Sequence, residues 1–281
     1  SVAVPQFLHA QGIRSIIAPL STRSGRLWGE LDPYKLILYP FIEGQDGYQV
    51  PLSDAQWRLF GAEMQKIHAT RLPAEIADFV PSEEFAPRDR DRVRGFLALV
   101  EREIFGDPVA KKVVEIMRLQ RSVIEHMLKR GDQLAEELKS QKLEFVLCHA
   151  DLHAGNLHLT ENGDLYIVDW DAPMFAPKEH DLLLIGGASP WSGAHVSAKF
   201  YEGYSAGEGE ARVDRKTLAY YRYERILVDI AEFCEQLLST TAGGEDREQS
   251  FGYFAGQFQA DHEVDVACQT DLGRAGLLTS K

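Results

Sequence analysis

The stretch VLCHADLHAGNLHL, residues 146–159, sets one acid, one amide and three histidines among small and apolar residues, directly after a run that reads as buried. LEFVLCHA leads into it and LHLTENGDLYIVDW leads out of it. Both are short and strand-like, and the second carries an Asn162-Gly163 pair of the kind that closes hairpins. The residues between them therefore form a loop, and Asp169 and Asp171 of YIVDWDAP stand at the end of the following hairpin. An Asp and an Asn five residues apart in a loop, with an Asp ending the next strand, suit phosphoryl transfer from a nucleotide. That reaction needs a carboxylate to orient an incoming hydroxyl and take its proton, and oxygen ligands to hold Mg²⁺ against the phosphates. Any one of His149, Asp151 and Asn156 alone would be a turn or capping residue more often than a catalyst, so the combination carries the reading. His153 and His158 raise a zinc alternative through the pattern H-x-D-x-H, but further ligands do not occur at a recognisable spacing.

The bulk properties narrow the class. A chain of 281 residues with 44% apolar and 26% charged residues can bury a full core without disulfides or metal staples. The net charge of −13 argues against nucleic acid as the main partner, because phosphate backbones need a basic face. It would draw in a cationic small molecule, or it serves solubility alone. Cys148, Cys234 and Cys268 are odd in number and scattered, which fits reduced thiols rather than a disulfide frame. The longest apolar runs, such as LILYPFI, are too short to cross a bilayer. SVAVPQFLHAQG lacks the basic start and long apolar core of a secretion signal, and the expected compartment is the cytoplasm.

Along the chain, RSIIAPL, GRLWGEL and YKLILYPFI read as strands of a small antiparallel sheet ending in the turn-rich EGQDG. From Ser53, a plausible N-cap, the period changes: Trp57, Phe60, Met64, Ile67 and His68 make a helical stripe. Residues 89–142 read as helices, with RDRDRVR as a solvated face. LAYYRYERILVDIAEFCEQLL is the clearest amphipathic helix, and GEGEAR at 207–212 is a surface turn rather than a phosphate loop.

HADLHAGN followed by IVDWD, together with LILYPFIEGQDGY and YYRYERILVDIAEF, resembles the aminoglycoside phosphotransferase family, whose members share the protein-kinase fold. The resemblance covers most of the chain. It implies an α+β, two-lobed protein-kinase-like architecture: residues 1–44 as an incomplete antiparallel β lobe with its hinge, and 45–281 as a larger, mainly helical lobe. It implies Asp151 as the catalytic carboxylate, Asn156 and Asp169 as Mg²⁺ ligands, and His149 as a structural partner of the loop. Tyr39, Pro40, Phe41 and Ile42 match the segment whose backbone meets adenine, and Asp181 matches an acid that steadies the catalytic loop through its amides. Asp171 is a candidate for gripping a cationic substrate or for capping its loop. Tyr223 and Glu224, with Asp229, are candidates to line the acceptor pocket, the alternative for the Tyr220, Tyr221, Tyr223 ladder being helix packing. The implied activity is transfer of phosphate from ATP, or GTP in its place, with Mg²⁺, to a hydroxyl of an aminoglycoside or aminocyclitol antibiotic. Another small hydroxylated metabolite as acceptor, or a truncated binder that sequesters a cationic ligand, are the alternatives. The family also places a phosphate-covering loop, a strand Lys and a helix Glu ahead of the residue matching Ser1. They have no counterpart here, so the expectation is a fragment of a longer protein or a small lobe without that half.

Overall fold

The computed structural model describes residues 2–187, 191, 194–206, 212–240 and 243–273. In chain order the elements are α1 (Ala3–Ala10), β1 (Gly29–Leu31), β2 (Tyr34–Leu36), β3 (Gln45–Asp46), α2 (Asp54–Ala69), α3 (Ala74–Ala77), α4 (Arg88–Arg102), α5 (Pro108–Leu119) and α6 (Arg121–Lys139). β4 (Val146–Cys148), β5 (Leu157–Leu159), β6 (Leu165–Ile167) and β7 (Met174–Ala176) follow, then α7 (Glu179–Leu182), α8 (Ala194–Tyr204), α9 (Arg215–Ser239), α10 (Gly244–Gly256) and α11 (Glu263–Leu272). The protein is thus α+β, with small antiparallel sheets and a helix-rich remainder. None of the described helices is long and apolar enough to cross a membrane.

By packing, the chain forms two units. The first takes the described residues within 1–83, 144–186 and 190–212, and the second those within 84–143, 187–189 and 213–281. This division is one of packing and differs from the partition expected at residue 44.

In the first unit β3 pairs with β5 and β5 with β6, all antiparallel, while β4 pairs with β7. The turn at Asn162-Gly163 closes the β5–β6 hairpin as expected. Thr160 N donates to Asp164 O at 3.0 Å, and Gly163 sits at φ +89°, a conformation open to glycine. The run YKLILYPFI gives less strand than its pattern suggests. Only Tyr34–Leu36 joins a ladder, with β1, and residues 37–41 continue without regular structure and exposed, Phe41 at 93%. RSIIAPL contributes a single parallel bridge, Ile16 to Ile167, rather than a strand. A β pattern becomes a ladder only where a neighbouring backbone pairs with it, and among the described residues that pairing is short here.

Helix α2 begins as its sequence predicts. Ser53 Oγ accepts from Gln56 N and Gln56 Oε1 accepts from Ser53 N, a complete capping box. The stripe Trp57, Phe60, Met64, Ile67, His68 is buried, and it meets Trp191 and, on α8, Phe200. The two helices cross at glycines. A Cβ on Gly61 would lie 2.0 Å from Phe200 O, and one on Gly203 would lie 1.9 Å from Arg58 O. Gly61→Ala is therefore expected to lower stability by about 1–3 kcal/mol through overpacking, despite the roughly 1 kcal/mol that Ala gains over Gly in a helix interior. A urea midpoint that stays put or rises in this variant would show that the helices separate freely.

The second unit is built on α9, whose N-cap Asp214 accepts from Thr217 N and whose Leu218, Ile226, Leu227, Ile230 and Leu237 are buried. The run RDRDRVR departs from the expected solvated face: Arg90 is only 1% exposed. It lies beside Asp132 and Glu224 as ion-pair partners and over the Tyr220 ring, and Gly131 leaves room for its stem. A buried guanidinium is tolerated because two carboxylates pair with it. Of the segment GEGEAR, residues 207–211 lie outside the described residues.

Candidate active site

The loop of residues 149–156 is held from behind by one buried carboxylate. Asp181, on α7, accepts from His149 N at 2.8 Å through Oδ2 and from Ala150 N at 2.9 Å through Oδ1. Its Oδ2 also meets His68 Nε2 at 3.1 Å, and His68 Nδ1 reaches the Tyr204 hydroxyl at 2.6 Å. Burial alone would push the Asp181 carboxyl up, but the hydrogen bond and charge of His68 outweigh it and hold the group below the usual Asp range. Ala150 adopts φ +73°, a left-handed conformation unusual for a residue with a side chain. The two amide bonds to Asp181 offset that cost and turn the chain sharply out of β4.

His149 is fully buried and ties this loop to the next strand. Its Nε2 donates to Val168 O at 2.8 Å, while its Nδ1 accepts from Asp151 N at 3.3 Å, which selects the tautomer with hydrogen on Nε2. The ring packs edge-on against Trp170, whose Nε1 donates to Ile167 O. Asn156, nearly buried in a 3₁₀ turn, donates Nδ2 to Asp151 O at 2.7 Å, and Val168 N donates to Asn156 O at 2.9 Å. Backbone bonds thus bring Asn156 and the start of the 168–171 segment to the same end of the strands as Asp151.

With the backbone fixed, the acidic side chains of the loop and of the 168–171 segment remain accessible, while Asn156 is buried. The Asp151 carboxylate is 46% exposed. Asp169, at φ +64°, and Asp171 are exposed, and among the described residues their carboxylates have no hydrogen-bond or ion-pair partner. Tyr39 senses them: burial first, then the negative charge of Asp171 and Asp169, pushes its phenol above the ordinary value. Unneutralised acids at one end of a sheet are costly, and hard oxygen donors from Asn156 and Asp169 suit a divalent cation such as Mg²⁺. The donor set fits that ion.

Tyr39, Pro40 and Phe41 are exposed and Ile42 half-buried. Ile42 O accepts from His158 Nε2 of β5 at 3.0 Å, so the segment matched to an adenine-binding hinge is pinned to the strand that follows Asn156. Beyond it the chain passes very close to the 149–156 loop and β5. A Cβ on Gly47 would lie 2.8 Å from Ala154 O, and one on Gly44 would lie 2.4 Å from Leu159 O.

Both histidines of the zinc pattern are engaged locally. His158 has the Ile42 carbonyl, and His153 Nδ1 accepts from Gly155 N at 3.0 Å, so each ring has a role apart from zinc. His68, Cys148 and Asp181 do bring ligand atoms within 4.8 Å of one another. The Asp181 oxygens and His68 nitrogens are already bonded, however, and burial pushes the Cys148 thiol well above its usual range, so the group is a hydrogen-bonded anchor.

The acceptor-side candidates divide. Asp171 is exposed beside Asp169. Tyr223, on α9, has no exposed surface and directs its hydroxyl toward Asp271 at 3.4 Å, and Glu224 is paired with Arg90. In this arrangement Tyr223 is a packing group of the second unit with no exposed surface, and Glu224 is a largely buried ion-pair partner of Arg90. Three contributors escape a reading of the sequence: His68, Tyr204 and Tyr48. The signal for the first was present, because an imidazole on an apolar stripe must find polar partners in the core.

A sequence profile of the phosphotransferase enzyme family, APH, matches residues 2–221. The structure superposes on that of spectinomycin phosphotransferase APH(9)-Ia in complex with ADP and spectinomycin, at a TM-score of 0.87 and 35% identity, covering 96% of this chain and 82% of that one. The AMP-bound form of the same enzyme superposes at a TM-score of 0.85, again at 35% identity, over 96% and 83% of the two chains. Protein StrN of Streptomyces griseus is 26% identical over 206 residues, 71% of this chain; the chain spans 64% of that relative's length. The profile runs through the 149–171 loop and strand and most of the helical remainder, and the chain belongs to the APH phosphotransferase enzyme family, with its kinase-like fold.

Proposed function

We propose that the protein is an ATP- and Mg²⁺-dependent kinase that phosphorylates a hydroxyl of a spectinomycin-like aminocyclitol antibiotic in the cytoplasm and so confers resistance. The observation that carries this reading is the exposed Asp151 carboxylate on a loop whose amides are locked by Asp181, with Asn156 and Asp169 offering oxygen donors from the same end of the strands. It is supported by the 35% identity to an enzyme whose structure holds ADP and spectinomycin together.

In this mechanism Asp151 accepts the proton of the acceptor hydroxyl as its oxygen bonds to the γ-phosphorus. The bond from that phosphorus to the bridging oxygen breaks, and ADP leaves with the electron pair. Mg²⁺, held by Asn156 and Asp169, would neutralise charge on the nucleotide phosphates. The backbone of Tyr39, Pro40, Phe41 and Ile42 meets the purine within residues 1–44. His149 and Asp181 keep the loop in place, and Asp171 attracts the cationic amine of the acceptor. Little covalent work falls to the protein, so positioning carries the rate.

The test is transfer of labelled γ-phosphate to spectinomycin by the full-length protein, with Mg²⁺ and with the metal chelated. Mg²⁺-dependent labelling of the drug is the expected result. An absence of transfer to spectinomycin and to a panel of other hydroxylated amines, at saturating nucleotide, would rule the reading out.

A further inference from the structure

Within the loop, one side chain is held beside Asp151 by Gly155 and Tyr48. His153 Nδ1 accepts from Gly155 N at 3.0 Å, so the ring hydrogen resides on Nε2, and Nε2 lies 3.7 Å from Asp151 Oδ2. That distance is longer than a hydrogen bond but suited to one that forms when substrate closes the site. The ring is stacked by Tyr48, with centroids 6.1 Å apart and planes inclined by 27°. Tyr48 is placed in turn by Asp46 of β3, whose Oδ1 accepts from the amides of Tyr48 and Gln49. Gly155 lies under the pair: a Cβ there would meet His153 Cε1 at 2.9 Å and Tyr48 Cε2 at 3.2 Å. A histidine that served only to cap the 3₁₀ turn would need its Nδ1 and nothing else. Here the bond from Gly155 N, the stacking Tyr48 ring and the missing Cβ of Gly155 all fix the imidazole on the side of the carboxylate, with its far nitrogen toward Asp151.

We propose that His153 is a positioning residue for Asp151, its Nε2–H holding one carboxylate oxygen so that the other faces the acceptor hydroxyl, with Tyr48 and Gly155 fixing the imidazole. This rests on the reading of Asp151 as the residue that orients the hydroxyl. One fixed donor selects a single orientation of a half-exposed carboxylate, in the manner of the residue that orients the base in a catalytic triad.

The two nitrogens can be separated by substitution. Asn at 153 retains an acceptor for Gly155 N but stops short of Asp151, whereas Gln places an amide N–H about where Nε2 lies and lacks the capping atom. His153→Asn is expected to lower kcat roughly ten- to a hundredfold with KM for both substrates and the melting temperature unchanged, and His153→Gln to restore most of the rate. Wild-type turnover in His153→Asn, or an equal loss in both variants, would overturn the assignment. A second readout does not depend on turnover. The ¹⁵N ring shifts of His153 should report the Nε2–H tautomer, and Asp151→Asn should move the Nε2 resonance while sparing Nδ1. A protein without activity on any acceptor, but with that coupling, would sink the kinase reading and leave the contact standing. An Nδ1–H tautomer, or no response to Asp151→Asn, would refute the contact itself.

Discussion

Asp151→Asn is expected to yield a folded protein that retains its affinity for nucleotide and acceptor and turns over about 10²- to 10⁴-fold more slowly. Asn is nearly isosteric with Asp, and the interactions that shape the loop here use the Asp151 backbone: its N–H donates to His149 Nδ1 and its C=O accepts from Asn156 Nδ2. The exposed side chain is thus the part whose exchange leaves the turn intact. What disappears is a group able to take the hydroxyl proton in the transition state, so the loss falls on kcat and kcat/KM together while KM stays. Steady-state kinetics with calorimetric nucleotide binding and a thermal melt check this. A variant with turnover within a few-fold of wild type would remove Asp151 from the mechanism, and a large fall in melting temperature would relocate its role to the loop's structure.

The candidate site was legible because its information is local. HADLHAGN and IVDWD place their donors within a few residues, and the chain realises them through a turn, a hairpin and short backbone bonds that any reading of spacing anticipates. The stripe and capping box of α2 were legible for the same reason. What the sequence concealed lies in pairs far apart along the chain. Arg90 and Glu224 are separated by 134 positions, and a run of alternating Arg and Asp reads as a solvated face until that partner is found. His68 and Asp181 are 113 apart, and His68 counted only as one more member of an inward stripe. Tyr223 shows the converse. An aromatic beside a Glu suggests a pocket, yet the helical period sends that ring to the core, where only the fold shows it has no surface. The segment after β2 was over-read for a related reason: hydrophobic pattern marks a strand's faces, whereas a ladder requires a second backbone.

Asp181→Asn tests the distant half of the site. The wild-type carboxylate accepts three bonds in the core, from the His149 and Ala150 amides and from His68 Nε2. An amide retains one acceptor oxygen and turns an NH₂ on the remaining donors, so at least one buried N–H is left without a partner and a paired buried charge is lost. The expected cost is about 3–5 kcal/mol, which for a chain of this size lowers the melting temperature by roughly 10 °C. The pH dependence has a definite sign. Because the folded-state pKa of Asp181 is depressed, its contribution is complete above the unfolded carboxyl value of about 3.9 and is lost as pH falls through the folded value. The melting-temperature gap between wild type and variant should therefore be flat from neutral pH down to about 5 and close below about 4. Activity should fall along with stability, since the Ala150 turn that presents Asp151 depends on those amide bonds, and this separates Asp181 from Asp151, whose replacement spares the melt. A gap of only a degree or two at neutral pH, or one that widens on acidification, would show that the loop holds its left-handed turn without the carboxylate, and the anchor formed by Tyr204, His68 and Asp181 would lose its assigned role.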